Sequence, residues 1–208
     1  FSLALCLEDT ISEGHVETAE QQLAATLSIL HDARSDRPFF LPKIFIRVRR
    51  PEQILKLMRL FGEHQDLVTG FILPKFSPEN ADAYRQAILL ANEICRNPVY
   101  AMPILEDRGI IDLRSRRELF YQLKEVLDSM EERILNVRVG GNDLCHVFGF
   151  RRNSTESIHR IAAISGIFSD IITVFGTDYV VSGPVWEYYH GKHWKKGLKK
   201  ELKEDRLC

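Results

Sequence analysis

Six short apolar runs, separated by segments of helical length, each end in polar or charged residues. The runs are Leu3–Leu7, Ile44–Ile46, Phe71–Leu73, Val99–Leu105, Ile134–Val139 and Ile171–Phe175. This repetition is typical of βα units, and the mostly continuous apolar character indicates strands that are buried on both faces of a parallel sheet. In parallel α/β folds the carboxyl ends of the strands meet on one face, which carries the active site. The pattern therefore predicts an α/β fold that collects the charged residues on one face.

The period of the repeat fits a (β/α)8 TIM barrel as well as a doubly wound sheet, and the sequence pattern as a whole favours the barrel. A closed barrel needs eight strands, whereas the sequence pattern shows six. Phe1 already lies within the first strand pattern, and the last stretch, Trp194–Arg206, is charged and helical rather than strand-like. We therefore expect a single domain over residues 1–208 that is an incomplete barrel, about strands 2 to 7. Open sheet edges would make such a segment prone to aggregation and able to bind a hydrophobic dye.

The spacing of apolar residues and helix-stop signals predicts five helices between the strands, with a sixth in the basic tail. The third should have Ser77 as its N-cap and Pro78 as its first residue, and the second should end at Gly62. The predicted ranges are about Val16–Asp32, from Pro51 to Gly62, from Ser77 to Arg96, Ser115–Met130 and Ser157–Phe168.

Composition excludes several classes of protein. Net charge is −1, so nothing favours nucleic acid or an anionic membrane surface as a partner. The longest apolar runs are far shorter than the roughly 20 residues that span a bilayer. The four cysteines, at positions 6, 95, 145 and 208, form no C-x-x-C pair. We expect free thiols in a reducing, cytoplasmic compartment.

Glu106 and Asp143 are the candidate metal ligands. Each follows a strand, and the two strands are consecutive, so their side chains should approach a shared point. Carboxylates without nearby His or Cys suit a hard cation such as Mg²⁺. The preceding Gly140 and Gly141 allow the backbone to approach closely and turn tightly. The alternative is that both acids merely cap helices.

Arg47 and Arg49 lie on the same side of the second strand end. A guanidinium binds a carboxylate through two parallel hydrogen bonds, which suits an oxo-acid or hydroxy-acid substrate. The alternative for Arg47 is a salt bridge at the rim, and part of the arginine cluster could be solvated surface.

Lys75, Glu8 and Asp9 are further candidates for catalysis. Lys75 ends the third strand, where a Schiff-base role competes with an ion pair to Glu8 or Glu106, and we favour the ion pair. Glu8 and Asp9 follow the first strand, where they can orient a cation or a metal-bound water.

Five strand-end motifs occur in an order that resembles a known superfamily. They are Leu7-Glu8-Asp9, Ile46-Arg47-Val48, Leu73-Pro74-Lys75, Ile104-Leu105-Glu106 and Gly141-Asn142-Asp143-Leu144. Together they resemble the HpcH/HpaI-type aldolases, which include the citrate lyase beta subunit and malyl-CoA lyase. The resemblance runs from about residue 3 to 187. Two longer segments, Leu-Cys-Leu-Glu-Asp-Thr around the first motif and Ser-Gly-Pro-Val-Trp-Glu-Tyr near residue 187, are most similar to a stand-alone branch of the family that is found in bacterial stress and tellurite-resistance gene clusters.

The resemblance implies a TIM-barrel carbon–carbon lyase. It implies Mg²⁺ or Mn²⁺ on Glu106 and Asp143, an oxo-acid carboxylate on Arg47, and substrate contacts from Gly141 and Asn142. The substrate would be a small hydroxy or oxo acid, or its CoA thioester, cleaved through a metal-stabilised enolate. We also expect a homo-oligomer.

One departure from the family pattern bears on the substrate. Arg49 stands where citrate lyase relatives usually have Asn, so the pocket should be more basic and should prefer a more anionic substrate. Two alternatives to the lyase stay open. One is a condensing acyltransferase of the malate synthase type, and the other is a non-catalytic barrel subunit.

Overall fold

The computed structural model, which describes residues 1–37, 39–151 and 157–184, has six parallel strands and six α-helices, with one helix in each of the first four connections and two in the fifth. The strands are β1 (Ser2–Cys6), β2 (Lys43–Arg47), β3 (Val68–Leu73), β4 (Tyr100–Leu105), β5 (Val137–Val139) and β6 (Val181–Ser182). The helices are α1 (Val16–Asp36), α2 (Pro51–Phe61), α3 (Ala81–Ile94), α4 (Arg116–Asp128), α5 (Gly141–Val147) and α6 (Ala162–Phe175).

The strands form one sheet in the order β1-β2-β3-β4-β5-β6, and every neighbouring pair is parallel. In the register, Cys6 lies opposite Arg47, and Arg47 lies opposite Ile72. A doubly wound sheet would reverse its strand order at a switch point. The sequential order is instead that of a TIM barrel, so the prediction of an incomplete barrel is confirmed.

The two faces of the sheet bury different residues, as the alternation of side chains along a strand requires. Ile44, Ile46 and Phe71 belong to the main core, which the helices cover. Phe45 and Ile72 belong to a smaller cluster on the opposite, inner face. Arg47, two residues after Phe45, lies on this inner side at the carboxyl end of β2.

Helix α2 shows how the sequence determines a boundary. Proline at its first position has no N–H that needs a partner, and its fixed φ angle suits a helix. The helix buries Ile54, Leu57 and Phe61 on one face. It ends at Gly62, whose φ of 54° is easily reached only without a Cβ atom.

The sixth strand is not where the sequence predicted it. Residues 171–175 form the last part of α6, whose buried side chains recur at helical spacing over its whole length. These buried residues are Ile164, Ile167, Phe168, Ile171, Val174 and Phe175. In the sequence, the last five residues of α6 form a largely apolar run of the kind expected for a buried strand. The true strand β6 follows it and is only two residues long.

Other boundaries also differ from the prediction. Helix α3 begins at Ala81, because the Ser77 N–H donates to Oδ1 of Asn80 and closes a separate turn before the helix. The short helix α5 was not predicted. The charged stretch Trp194–Arg206 lies outside the described residues.

The sequence predicted free cysteine thiols and no membrane-spanning segment. Cys6, Cys95 and Cys145 are free thiols. Within the described ranges, no helix has the length and apolarity needed to cross a membrane.

Candidate active site

Consecutive strand ends bring the predicted charged residues to one place. Glu8 and Asp9 follow β1, Arg47 ends β2, and Lys75 comes shortly after β3. Glu106 follows β4 directly, and Asp143 lies in the first turn of α5, after β5. The contacts among these side chains define a single cluster. We refer to these six residues as the strand-end cluster.

Arg47 is at the centre of the cluster. Its Nη2 atom lies 2.6 Å from Oε2 of Glu8, 3.2 Å from Oε1 of Glu106 and 3.4 Å from Oδ2 of Asp9. Its Nε atom is buried and has no hydrogen-bond partner among the described residues. A buried donor without an acceptor costs free energy. Arg47 therefore neutralises the neighbouring acids, and its Nε–H remains without an acceptor in the part of the chain that the structure describes.

Lys75 holds two of the acids at once. Its backbone N–H donates to Oε1 of Glu106 at 3.1 Å, and its Nζ atom donates to Oε1 of Glu8 at 2.8 Å. The hydrogen bond to Glu8 raises the pKa of the Lys75 ammonium, and the nearby acids add to it against the opposing effect of burial. A protonated amine is a poor nucleophile. This geometry favours the predicted ion pair over a Schiff-base role.

The backbone of Lys75 is unusual. Its φ angle is 49°, in the left-handed region that residues with a Cβ atom rarely occupy. Asn80 supports this conformation, because its Nδ2 atom donates to the Lys75 carbonyl at 2.9 Å. In this conformation the backbone N–H of Lys75 reaches the carboxylate of Glu106, while its side chain reaches the carboxylate of Glu8.

Glu106 and Asp143 form a close carboxylate pair. Glu106 is buried, with 2% of its side chain exposed. Burial raises the pKa of Glu106 most, and the charge of Asp143 and a hydrogen bond with its side chain raise it further. Arg47 and the Lys75 N–H oppose these effects, and the resulting pKa of Glu106 is about 7. Two carboxylates this close cannot both ionise freely without a cation.

The chemistry of this pair fits a hard divalent cation. Both potential ligands are carboxylate oxygens, and a cation between them would relieve their repulsion. In the described part of the chain, no group of three or more His, Cys, Asp or Glu forms a complete metal cage. Mg²⁺ is commonly held by only one or two carboxylates, with water and substrate oxygens as its other ligands.

Gly140 makes room for the carboxylate pair. A Cβ atom at this position would lie 2.3 Å from both Cβ and Oε2 of Glu106, which is far too close. At the adjacent Gly141, a Cβ atom would lie 2.7 Å from Cδ1 of Ile158 and 2.9 Å from Cβ of Pro184. The predicted glycine pair therefore permits close packing here. Gly141 and Asn142 lie in the first turn of α5, beside Asp143.

Arg49 contacts the loop that follows β1. Its guanidinium donates to the backbone carbonyls of Leu7, Glu8 and Ile11, and it forms an ion pair with Glu13. These contacts hold the loop that follows β1 and thereby position Glu8. A contact between Arg49 and substrate stays a prediction.

The sequence reasoning missed Arg138. This residue lies on the inner face of β5, opposite Ile104 of β4. Burial lowers the pKa of its guanidinium, and repulsion from Arg47 lowers it further, whereas Glu106 acts in the opposite direction. The available signal was a charged residue inside the apolar run of residues 134–139, rather than at its end.

A sequential parallel sheet with acids and cations gathered at its strand ends defines a chain of the TIM-barrel class. A family model described as a carbon–carbon bond lyase of the TIM-barrel fold matches residues 1–208, so the chain belongs to this family. This agrees with the resemblance to the HpcH/HpaI-type enzymes. No curated protein matches the chain.

Solved structures similar to the chain have the same fold at low sequence identity. Malate synthase from Haloferax volcanii, in complex with magnesium and glyoxylate, aligns with a TM-score of 0.66 and 10% identity over 99% of this chain. The chain spans 59% of that enzyme. The citrate lyase beta subunit from M. tuberculosis, complexed with oxaloacetate and magnesium, aligns with a TM-score of 0.54 and 14% identity. That alignment covers 98% of this chain and 75% of the subunit.

Proposed function

We propose that this chain is a Mg²⁺-dependent lyase that cleaves a carbon–carbon bond next to a carboxylate in a small oxo or hydroxy acid. The observation that carries the proposal is the close pair of Glu106 and Asp143 at the ends of consecutive strands, beside Arg47. Membership of the carbon–carbon bond lyase family supports the reaction class. The magnesium complexes of the two similar structures support the choice of cation.

Each residue of the cluster has a task in this proposal. Glu106 and Asp143 hold the cation, for which Mn²⁺ is the alternative to Mg²⁺. When bound, the cation supplies Lewis-acid stabilisation of the negative charge that develops on the substrate as the bond breaks. Arg47 binds and orients the substrate carboxylate, using the Nε donor that has no partner among the described residues.

The remaining charged residues position these groups. Lys75 holds Glu106 through its backbone N–H and Glu8 through its side chain. Glu8 in turn contacts Arg47, and Asp9 lies at the exposed rim of the same group. Because Arg47 and Lys75 each contact more than one acid, these side chains restrain one another before a substrate binds.

The first experiment measures Mg²⁺ binding by calorimetry. We expect the wild-type chain to bind one Mg²⁺, and Glu106→Gln and Asp143→Asn each to weaken binding by at least about tenfold, because each loses one anionic oxygen ligand. Glu118→Gln is the matched control, since Glu118 is an exposed acid on α4. Equal affinity in all four proteins would refute the metal site.

The second experiment separates the lyase from its alternatives. In the presence of Mg²⁺, the protein is screened for binding and turnover with oxaloacetate, pyruvate, glyoxylate and acyl-CoA compounds. Cleavage that yields an oxo acid supports the lyase. Condensation of glyoxylate with an acyl-CoA thioester would indicate a malate synthase-like acyltransferase. Mg²⁺ binding without turnover of any of these compounds would favour a non-catalytic subunit.

A further inference from the structure

A buried polar pair links helices α1 and α2 within the helix layer. Glu20 of α1 and Gln53 of α2 are only 2% and 5% exposed. The Gln53 side chain donates from Nε2 to Oε1 of Glu20 at 2.7 Å. The other carboxylate oxygen of Glu20 forms an ion pair with Lys56. Both oxygens of Glu20 are therefore contacted, although the side chain is almost fully buried.

Packing alone does not require this polar pair. The other buried residues of α1 are Leu23 and Leu27, which lie on the same helix face as Glu20. The other buried residues of α2 are all apolar. Burying a carboxylate and an amide costs free energy, and an apolar pair of similar volume in such a place is often neutral or stabilising. A role other than packing therefore explains the pair better.

Gln53 carries the contact from the helices to the end of strand β2. Its Oε1 atom accepts a hydrogen bond from the backbone N–H of Arg49 at 2.7 Å. Because the amide donates to Glu20 and accepts from Arg49, both ends of the Gln53 side chain are fixed. Arg49 lies two residues after Arg47, the last residue of β2. The pair thus fixes the backbone from which the Arg49 side chain extends.

The Arg49 side chain continues the connection to Glu8. Its Nε atom donates to the Leu7 carbonyl at 2.9 Å, and its Nη2 atom donates to the Glu8 carbonyl at 3.0 Å. The Glu8 carboxylate in turn lies 2.6 Å from Nη2 of Arg47 and 2.8 Å from Nζ of Lys75. A continuous chain of contacts therefore runs from the helix layer to the strand-end cluster.

We propose that Glu20 and Gln53 are positioning residues of the proposed active site. They hold the Arg49 backbone, so that its guanidinium keeps the loop after β1 in the position at which Glu8 restrains Arg47. This inference rests on the proposed function, in which Arg47 binds the substrate carboxylate. Both residues of the pair act through the loop and contact neither the cation nor the substrate.

The kinetic test begins with an apolar replacement. Glu20→Leu/Gln53→Leu roughly keeps the volume of both side chains and removes their hydrogen bonds. On the substrate found by screening, we expect kcat/KM to fall about tenfold, on the scale of one hydrogen bond. The loss should come mainly from a higher KM, because Arg47 binds the substrate carboxylate.

A reciprocal replacement gives the matched rescue. Glu20→Gln/Gln53→Glu exchanges donor and acceptor, keeps the net charge, and leaves a carboxylate oxygen to accept from the Arg49 N–H. Its kcat/KM should stay within about threefold of the wild-type value, because both hydrogen bonds can form again. Gln53→Glu alone sets two carboxylates against each other and should lose as much as the apolar variant.

Melting temperatures separate positioning from a purely structural role. Because both partners are replaced by apolar groups, Glu20→Leu/Gln53→Leu should melt at or above the wild-type temperature. Glu17→Gln, at an exposed acid of α1, is the control and should change neither kcat/KM nor melting. A loss of kcat/KM that merely follows a lower melting temperature, and that the reciprocal variant shares, would overturn the proposal. If the apolar variant does not fold, Gln53→Glu and the reciprocal variant decide the question.

Hydrogen exchange tests the chain of contacts without any assay of activity. The Ile11 N–H donates to the Glu8 carbonyl at 3.1 Å within the loop. In the apolar variant this amide should exchange at least about tenfold faster, because the loop opens more easily. The Leu57 amide, inside α2, should exchange as in the wild type. Equal exchange of the loop in both proteins would overturn the positioning role, whatever reaction the site performs.

The two proposals fail in different ways. If the wild-type chain binds no Mg²⁺, the proposed function is wrong, and the exchange measurement still decides whether the pair holds the loop. If Mg²⁺ binds and kcat/KM is unchanged although the loop exchanges faster, the positioning role is wrong and the lyase proposal stands.

Discussion

Arg47 contacts three carboxylates through one nitrogen, so its geometry matters as much as its charge. Arg47→Lys preserves the charge and removes the planar fork. We predict about a hundredfold loss of kcat/KM on the substrate found by screening, on the scale of one charge-assisted hydrogen bond. Arg114→Lys, at an exposed position, is the control. Wild-type turnover in Arg47→Lys would show that Arg47 forms only a rim salt bridge.

Gly140 gives a test of the carboxylate pair that leaves every charge in place. Gly140→Ala would force Glu106 to move, because the new methyl group would overlap its Cβ and Oε2 atoms. We predict a loss of about 1–3 kcal/mol in unfolding free energy, as for other overpacked sites, together with weaker Mg²⁺ binding in calorimetry.

Gly166→Ala is the matched control for this prediction. Gly166 lies inside α6, and a Cβ atom there would meet nothing within 4 Å. The substitution should stabilise the protein by about 0.5–1 kcal/mol, because alanine favours helix more than glycine does. If both alanine variants behave alike, the crowding inferred around Glu106 is wrong.

The positions of the charged residues were readable from the sequence, and their contacts were not. Glu106 and Asp143 follow apolar runs, and parallel strands bring such ends together. The special backbone of Lys75 left no signal, because the left-handed region is not characteristic of lysine. Arg138 was missed because it lies within an apolar run, and the sequence argument considered only the charged residues at the ends of such runs.

At the scale of elements, the first five strands and every α-helix except the short α5 were predictable because their apolar patterns are long. The sixth strand was not, because two residues are too few to show a pattern, and the apolar end of α6 lies just before it. A helix and a buried strand cannot be told apart over five apolar residues alone. Extending the window back to Ile164 reveals the helical spacing.

The loop between α6 and β6 is held by side chains rather than by strand pairing alone. The Tyr179 hydroxyl donates to Oδ1 of Asp128 at 2.6 Å, at the end of α4. Lys124 forms ion pairs with Asp128 and with Asp178 of the loop. These contacts link α4 to the chain entering β6.

Removing the Tyr179 hydroxyl should weaken this link. We predict that Tyr179→Phe lowers the unfolding free energy by about 1–2 kcal/mol, because the buried ring remains and one hydrogen bond to a charged group is lost. Urea denaturation measures the change. Tyr121→Phe, on an exposed ring, should have no effect. Equal stability of the two variants would mean that the bond to Asp128 contributes nothing.

For the whole molecule, the raised pKa of Glu106 links stability, pH and cation binding. The carboxyl titrates at about 7 in the folded chain against an ordinary value of 4.5. Between these values the unfolded chain releases the proton that the folded chain retains, so this group's contribution to stability falls as pH rises from about 4.5 to 7. Above pH 7 the ionised pair favours a cation.

We therefore predict that Mg²⁺ raises the melting temperature more at pH 8 than at pH 5.5. A ligand present at about a hundred times its Kd stabilises the folded state by about 2.7 kcal/mol. The effect should disappear in EDTA and in Glu106→Gln, and that variant should also lose the decline in stability between pH 4.5 and 7. A stabilisation independent of pH would contradict the role of Glu106.

The sequential order of the sheet has a consequence for how this chemistry can change. Glu8, Arg47, Lys75, Glu106 and Asp143 come from five successive βα units, each anchored by its own strand. The site is thus modular. Altering one unit exchanges one charge, while the strands of the other four units stay in place. A chain built this way can acquire a new substrate by small local steps that leave the architecture intact.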